Sequence, residues 1–511
     1  MVAAGILLSR LLGLVRQRVF GHFLGTSDAA DAFMAAFRIP NMLQNLFGEG
    51  VLSASFIPVY SRLLGEEREE DADRLAGAVA AVLALASAVI VLAGVLAAPL
   101  LVDVIVPGFD GAKREQTILL VRILFPGAGL LAMSAWCLGV LNSHRRFLLS
   151  YSAPVLWNIA IITGLLVYGG RLENYTLAAV AAWASVIGSA LQFLVQLPVV
   201  LKVTGRLKPA IRAAGDHLRT VIRNFFPVFL GRGVYQVSAF VDTILASFLP
   251  AGAVVSLAYA QTIYMLPVSL FGMSVSAAEL PDMSRDTARQ ETLAEALRTR
   301  IDRGLRNIAF FVVPSAIAFL ALGDFIVGLI YQSGAFTAED VSYVWAILAG
   351  SAVGLLASTM GRLYSSAWYA LQDTRTPLRF AVVRVGLTIL LGIVLAFPVP
   401  ATLDLDPKWG AAGLTVAAGI AGWVEFALLR RSLGRRIGST GVPVRFLLQA
   451  WGAALLAAGA AWGVRIVSLP EMARAILALA VFGVVYLGVA RLIGMPEAKR
   501  LPFMLRRGDG S

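Results

Sequence analysis

The chain has 511 residues, of which 58% are hydrophobic and 14% charged, and its mean hydropathy is +0.78. Ordinary soluble domains carry roughly 25% charged residues, so this composition excludes a soluble globular protein and indicates a chain that lies mostly in a membrane. Lys and Arg number 43 against 31 Asp and Glu, but the basic residues lie in short connections between apolar runs, which argues against nucleic acid as a partner.

The few cysteines and histidines limit the chemistry further. The single cysteine, Cys137, and three widely separated histidines predict neither an intramolecular disulfide nor a metal site. The first apolar stretch is interrupted by Arg10 and lacks a small-residue cleavage site, so we expect no cleavable signal peptide. Because the chain starts close to Arg10, we also expect that a few residues of the first helix are absent from this sequence.

The apolar runs predict an all-α polytopic membrane protein with about fourteen transmembrane helices. A spanning helix needs about 20 mainly apolar residues, and each run is long enough. In chain order the predicted segments are 2–24, 29–63, 75–102, 117–141, 149–169, 176–201, 221–249, 253–281, 306–331, 342–370, 378–397, 409–429, 444–468 and 473–493.

The first two segments carry charges where a lipid-facing helix would carry only hydrocarbon. A charge at the centre of a spanning helix costs about 2.5–3.5 kcal/mol and usually faces a bundle interior or a water-filled path. One helical stripe contains Arg10, Gly13 and Gln17, and a second contains Asp31, Arg38, Asn41, Asn45 and Glu49. These stripes predict a shared polar interior. The alternative is that Arg16, Arg18 and Asp28 mark helix ends and reach the headgroups.

Basic residues predict the orientation of the chain. With a cytoplasmic amino terminus, the even-numbered connections and the carboxyl-terminal tail hold 29 Lys or Arg residues against five in the opposite connections. Cytoplasmic connections of membrane proteins carry such an excess, so both termini are predicted to be cytoplasmic. Two longer basic connections, Lys202–Arg223 and Arg285–Arg306, have helical periodicity and are predicted to be amphipathic helices on anionic lipid, with partner binding as the alternative.

Two short motifs recur about half a chain apart. Ser134-Ala135-Trp136 in segment 4 returns as Ser366-Ala367-Trp368 in segment 10, and Phe56–Arg62 resembles Glu279–Arg285. Six segments, an even number, separate each pair, which predicts parallel repeats about an axis along the membrane normal. We therefore expect two six-helix lobes, at 1–205 and 206–435, around a central cavity. Residues 436–511 would form two further helices and a cytoplasmic tail.

No constellation predicts catalysis. The chain has no P-loop, so ATP hydrolysis is not expected, and the protein is predicted not to be an enzyme. Polar residues at membrane depth recur in the second half, where Arg232 and Gln236 share a helix face. The others there are Asp242, Gln261, Thr262, Arg362 and Arg384. Arg362 has the alternative of a structural partner for a carbonyl or a helix end.

The second segment also shows a family resemblance. The run DAFMAAFRIPNMLQNLFGEGVLSASFIPVYSRL, preceded by SRLLGLVR, resembles the signature of the MurJ/MviN family of lipid II flippases, in the multidrug/oligosaccharidyl-lipid/polysaccharide exporter superfamily. Similarity continues through Gly139–Asn142 with Ala153–Val155, and through Tyr369–Leu371 with Asp373–Pro377. The resemblance implies fourteen helices, a central cationic cavity and a groove for a lipid tail along the last helix pair.

The family's functional positions can be transferred to this sequence where its residues match the family motif. Those on helices 1 and 2 are Arg10, Arg16, Asp31 and Glu49, with Arg38 replacing a lysine common in relatives. The predicted substrate-binding residues are Arg10, Arg16, Asp31, Arg38, Asn41, Gln44, Glu49, Arg232, Gln236 and Thr262, and the predicted ion-coupling candidates are Asp31 and Asp242.

Three positions depart from the family pattern. Gln44 and Thr262 stand where relatives carry cavity arginines, and Met265 stands where they carry a glutamate. Bidentate Arg–phosphate contacts are strong, so these losses weaken the expected attraction for a diphosphate. We predict that Arg232, or next Arg384, supplies the missing charge.

The resemblance implies a bacterial inner-membrane flippase that moves lipid II outward by alternating access for cell wall synthesis. The implied partners are lipid II and membrane lipids, the expected oligomeric state is a monomer, and no cofactor is expected. A membrane potential or ion gradient, with a monovalent cation as a candidate, would drive transport. The alternatives are a flippase for another polyprenyl-diphosphate-linked glycan, a cation-coupled drug exporter, and a non-transporting scaffold of envelope assembly.

Overall fold

A computed structural model describes residues 2–47, 52, 55–205, 215–273, 293–371 and 373–499. Side chains are described for the same residues except 2–7, 43–47, 226–239, 273, 293 and 296. Within these ranges all regular secondary structure is helical, which confirms the predicted all-α membrane fold. Glu49 lies outside the described residues, as do the side chains of Gln44, Arg232 and Gln236.

Among the residues that the structure describes, nine α-helices precede residue 250. They are α1 Val2–Leu24, α2 Asp28–Phe47, α3 Ile57–Gly65, α4 Glu69–Leu96, α5 Ala98–Ile105, α6 Gly111–Ser143, α7 Phe147–Tyr168, α8 Asn174–Val203 and α9 Gly215–Ala246. Pro40 lies inside α2, as its place in the second segment predicts.

Nine more follow among the described residues. They are α10 Ala253–Pro267, α11 Leu293–Ala321, α12 Gly323–Tyr331, α13 Ala338–Ala370, α14 Arg375–Ala396, α15 Pro398–Thr402, α16 Gly410–Ile437, α17 Val444–Gly463 and α18 Glu471–Leu492. A π-helical turn at Val268–Met273 continues α10.

Eleven of these helices, counted with the short turns that continue some of them, are long and apolar enough to cross a membrane. Three further long helices, α1, α2 and α9, occupy the remaining predicted segments and are not among the eleven. Together they match the fourteen segments predicted from the sequence. The three exceptions carry most of the predicted site residues, because the charges that suggested a polar interior also lower the hydropathy of those helices.

The chain divides into two compact units. Unit 1 comprises Met1–Val255 and Ser333–Phe336, and unit 2 comprises Ser256–Gln332 and Thr337–Ser511. The predicted lobe boundaries at residues 205 and 435 stay predictions, because grouping by contacts does not test the sequence repeat on which they rest.

Unit 1 is built around α6 and α8. Helix α6 packs against α2, α4 and α8, while α7 lies between α1 and α8. Its largest buried side chains include Trp136, Tyr60 and Phe56, each no more than 1% exposed. This packing places α1, α2 and α7 next to one another, which is where the candidate site lies.

Unit 2 is built around α13, which packs against α11 and α16, while α14 packs against α16 and α17 against α18. Helices α13 and α16 approach closely at Gly354 and Gly419, where a Cβ on Gly354 would lie 2.4 Å from the Cα of Gly419. Small residues at such contacts are how helices pack tightly in lipid, where van der Waals contact drives association.

The two predicted surface helices are parts of longer helices where the structure describes them. Residues 202–205 include the end of α8, residues 215–223 begin α9, and residues 293–306 begin α11. In α11, Leu297, Ile301 and Leu305 are at most 1% exposed, so this apolar stripe packs inside the protein and not on a lipid surface. Periodicity alone predicts an apolar face, but it does not distinguish lipid from protein as the surface that covers it.

Candidate functional site

The outer end of α2, in the predicted topology, is fastened by Asp31. This carboxylate is 1% exposed and accepts hydrogen bonds from Lys113 Nζ and from the backbone N–H groups of Gly252 and Val255, each at 2.8 Å. Lys113 also contacts Asp28 at 2.8 Å. A buried charge is stable only when it is paired and hydrogen-bonded in this way. Asp31 therefore joins α2 to α6 and to the backbone at the start of α10.

A short segment from later in the chain, which also belongs to unit 1, contacts the turn between α1 and α2. The N–H of Ala335, in the segment Ser333–Phe336, donates to the carbonyl of His22 at 2.8 Å. Gly334 lies against His22 with a φ of +56°, and Gly25, with a φ of +52°, lies against Ala335. A Cβ at either glycine would meet a backbone oxygen at 2.6 Å or less, so only glycine fits. The turn between α1 and α2 is thus held by backbone contacts as well as by Asp31.

Two of the predicted residues come together between α2 and α9. Arg38 donates through Nη1 to Thr243 Oγ1, and Asp242 interacts electrostatically with the Arg38 guanidinium. Sequence reasoning selected Arg38 and Asp242 for different roles and did not predict that they are neighbours. Thr243, which is fully buried, was missed because one threonine in an apolar run carries no distinguishing signal.

Arg16, on α1, contacts aromatic rings of two other helices. Its guanidinium carbon lies 4.5 Å from the ring centroid of Trp157 on α7 and 5.9 Å from that of Phe37 on α2. Both distances are within the range of an attractive cation–π interaction. Neither ring was predicted, because a tryptophan or phenylalanine in an apolar helix reads as ordinary core.

Arg10 lies on α1, six residues before Arg16 and thus about 9 Å away along the helix axis. Its side chain is exposed. Nearby, the side-chain oxygens of Gln17 and Asn158 are buried and have no hydrogen-bond partner among the described residues. Gly13 faces Asn158, since a Cβ there would lie 4.0 Å from Oδ1. The contact between α1 and α7 therefore contains polar groups as well as apolar ones.

Asn41, Thr262 and Arg384 are three further predicted residues whose side chains the structure describes. Asn41 is half-buried on α2. Thr262, in unit 2, is half-buried and donates through Oγ1 to the carbonyl of Ala258 at 2.9 Å, a bond within its own helix. Arg384, the second candidate to replace the missing charge, lies 3.2 Å from Glu425 on α16. Its charge is therefore balanced inside unit 2, which argues against that role.

Comparison with known proteins identifies the family. A family model described as "Lipid II flippase MurJ" matches residues 20–483. The chain is 31% identical to the Lipid II flippase MurJ of Burkholderia cenocepacia, with 97% of each protein covered. It is 30% identical to the Probable lipid II flippase MurJ of Rhizobium tropici over 85% of this chain and 80% of that protein.

Solved structures share the fold. A structure titled "Lipid II flippase MurJ, inward closed conformation" superposes with a TM-score of 0.78 at 24% identity, covering 96% of this chain and 98% of that one. An inward-facing multidrug resistance MATE family transporter of the MOP superfamily superposes with a TM-score of 0.67 at 17% identity, over 84% of this chain and 95% of its own. Since the sequence matches extend over nearly the whole chain, this protein belongs to the MurJ family of lipid II flippases.

Proposed function

We propose that this protein flips lipid II, the lipid-linked peptidoglycan precursor, from the cytoplasmic to the outer leaflet of the bacterial inner membrane by alternating access. The observation that carries the proposal is a full-length family match in a chain whose α1 and α2 hold Arg10, Arg16 and Arg38 within one unit. Arginine suits the substrate because its guanidinium binds phosphate oxygens in a bidentate manner.

Each part of lipid II suits a different feature of the chain. The diphosphate would contact the arginines, the sugar-peptide head would lie in the predicted cationic cavity, and the prenyl chain would stay in lipid along α17 and α18. An arginine at membrane depth is costly unless it faces water, a protein partner or an anionic ligand. Transport in this scheme moves a lipid without making or breaking a covalent bond.

We propose that a membrane potential or ion gradient drives the cycle. Moving one charge through the full potential is worth about 2.3 kcal/mol per 100 mV. Of the two ion-coupling candidates, Asp242 suits the role better, because its neighbour Arg38 is itself a proposed substrate contact. Asp31 already accepts three hydrogen bonds from the protein, so binding an ion there would require those bonds to break.

The departures at Gln44, Thr262 and Met265 favour one alternative, a flippase for another polyprenyl-diphosphate-linked glycan. Loss of two cavity arginines weakens attraction for the diphosphate without changing the fold.

We propose that Arg232 supplies part of the missing charge. On that basis Arg232→Ala abolishes transport, and Thr262→Arg added to that variant restores part of it.

Complementation of a lipid II flippase depletion strain tests the function. Expression of this chain should restore growth and lower the accumulated lipid-linked precursor, both measured against the empty vector. Arg16→Ala should fail at equal protein level, whereas the matched control Arg375→Ala, at the start of α14, should complement. Precursor accumulation that the wild-type protein does not relieve would overturn the proposal, whereas normal growth with Arg16→Ala would remove Arg16 from the substrate site.

Orientation and oligomeric state belong to the same proposal, with both termini cytoplasmic and a monomer as the functional unit. In a Cys137→Ala background, Lys408→Cys should react with an impermeant thiol reagent in intact cells and Arg145→Cys should not. Labelling at position 145 would reverse the orientation. The mass of the purified protein in detergent should correspond to a single chain.

A further inference from the structure

Trp157, Phe37 and Arg16 form a three-helix cluster in unit 1. The Trp157 and Phe37 ring centroids lie 5.8 Å apart with their planes inclined by 28°, a stacked arrangement. The Arg16 guanidinium lies against this pair, closer to Trp157 at 4.5 Å than to Phe37 at 5.9 Å. Helices α1, α2 and α7 therefore meet at one cation and two rings.

Helix α8 fixes Trp157. The indole Nε1 donates to the hydroxyl of Ser185 at 3.1 Å, so the polar atom of the ring is held and the ring cannot rotate freely. One turn further along α8, a Cβ on Gly188 would lie 2.9 Å from the Cα of Trp157 and 3.0 Å from its carbonyl oxygen. Only glycine permits this close approach of the two backbones. The ring is therefore placed by a hydrogen bond and by helix packing.

Phe37 is held by a row of rings along α1 and α2. Its ring stacks on that of Phe33, one helical turn earlier, with centroids 6.0 Å apart and planes inclined by 12°. Phe33 in turn contacts Phe20 of α1 at 4.9 Å, and both are at most 4% exposed. The two rings that contact Arg16 thus extend a packed aromatic core.

We propose that Trp157 and Phe37 are positioning residues that set the plane of the Arg16 guanidinium for a diphosphate. The inference rests on the transport function proposed above. Rings stack on the face of a guanidinium, whereas its N–H groups point outward in its plane, and bidentate phosphate binding needs that plane in one orientation. Holding a long side chain in advance also reduces the entropy lost on binding.

The test uses the full-length protein in lipid nanodiscs, with undecaprenyl diphosphate as the probe. Affinity is measured for wild type, Trp157→Leu, Trp157→Phe, Arg16→Ala and the double variant Arg16→Ala/Trp157→Leu. Trp183→Leu is the matched control, because Trp183 lies on α8 and is 56% exposed. Phenylglyoxal modification of Arg16, followed by peptide mass spectrometry without the probe, reports how well the rings shield the guanidinium.

Trp157→Leu should weaken binding by about two- to thirtyfold, the factor that a cation–π contact is worth, while Trp157→Phe retains most of the affinity. In the Arg16→Ala background the same leucine substitution should change affinity less than about twofold, since residues that act on one ligand are non-additive. Trp157→Leu should also raise the modification rate of Arg16 several-fold. Trp183→Leu should change neither quantity.

Two results would overturn the positioning role alone. One is an equal loss of affinity from Trp157→Leu with and without Arg16, and the other is an unchanged rate of Arg16 modification. Failure of the wild-type protein to bind undecaprenyl diphosphate would contradict the proposed transport function as well as the positioning role of Trp157 and Phe37. If Trp157→Leu aggregated, Phe37→Leu would replace it, because Phe37 also contacts the Arg16 guanidinium. Phe37→Leu should likewise weaken binding when Arg16 is present and change it less than about twofold in the Arg16→Ala background.

Discussion

Two arginines at membrane depth are accommodated in different ways in the two units. In unit 2, Arg384 contacts the carboxylate of Glu425 at 3.2 Å, and their side chains are 34% and 16% exposed. In unit 1, the Arg16 guanidinium lies 4.5 Å from an indole ring that a serine holds in place. A carboxylate neutralises the cation, whereas a ring stabilises it without adding a negative charge. The comparison teaches that the role of a charge in an apolar helix has to be read from the side chains that contact it, a carboxylate for Arg384 and aromatic rings for Arg16.

Removing each arginine in turn is the test of this comparison with the largest expected effect. Arg16→Ala should abolish flippase activity in a depletion strain at unchanged protein level, and Arg16→Lys should retain part of it, because lysine keeps the charge but loses the planar fork. Arg384→Ala should instead lower the amount of folded protein. Growth, precursor level and immunoblotting measure the two effects. A transport defect at normal protein level for Arg384→Ala would show that both arginines serve the substrate.

Asp31 extends the comparison to a carboxylate. Asp31→Ala leaves the backbone N–H groups of Gly252 and Val255 without their acceptor and Lys113 with Asp28 alone, so we expect a loss of about 3 kcal/mol of stability, near the lower end for a broken buried ion pair. Thermal unfolding in detergent should show it as a clear fall in midpoint. Asp28→Asn is the control, since Asp28 is 49% exposed and shares the same lysine. Equal midpoints for both variants would contradict a fastening role for Asp31.

The pair in unit 2 should be replaceable as a whole. Arg384→Met alone leaves Glu425 without its cation at membrane depth, at a cost on the order of 2 kcal/mol, below that of a fully buried pair because both side chains keep some exposure. Adding Glu425→Leu should restore the unfolding midpoint to that of wild type, and the double variant should still transport. A double variant no more stable than the single one would indicate that Arg384 acts through other contacts.

The smallest expected effect concerns Asp373, a half-buried residue between α13 and α14 that lies outside the predicted membrane segments. It accepts hydrogen bonds from the backbone N–H groups of Arg375 and Thr376 and from the Thr376 hydroxyl, and these bonds hold the pKa of Asp373 below its usual value. Its contribution to stability is therefore present at neutral pH and lost as the pH falls through the lowered pKa. Asp373→Ala should lower the unfolding midpoint by no more than about 2 °C at pH 7 and less in acid. If Asp373→Ala lowered the unfolding midpoint more in acid than at pH 7, the ionised carboxylate would not be the stabilising form.

The number and kind of helices were predictable because composition and hydropathy are local properties. Runs of about 20 apolar residues must be helical in lipid, where each backbone polar group needs a partner within the segment. The motif Asp373–Pro377 was also visible in the sequence, and the structure shows that its aspartate binds the first N–H groups of α14. The bounds of α4 were less predictable. It begins at Glu69, six residues before the apolar run, since acidic residues suit the first turn of a helix.

The sequence by itself determined the fold class, the family and the choice of α1 and α2 as the polar helices of unit 1. It could select Arg16, Asp31 and Arg38, because a charge among apolar residues stands out at any position. Only the tertiary structure decided what each charge contacts: Lys113 for Asp31, Thr243 for Arg38 and Trp157 for Arg16. Those partners lie 82, 205 and 141 residues away along the chain. The physical reason is that a helix places its own residues in a known register, whereas the pairing of faces between helices depends on packing that no local pattern encodes.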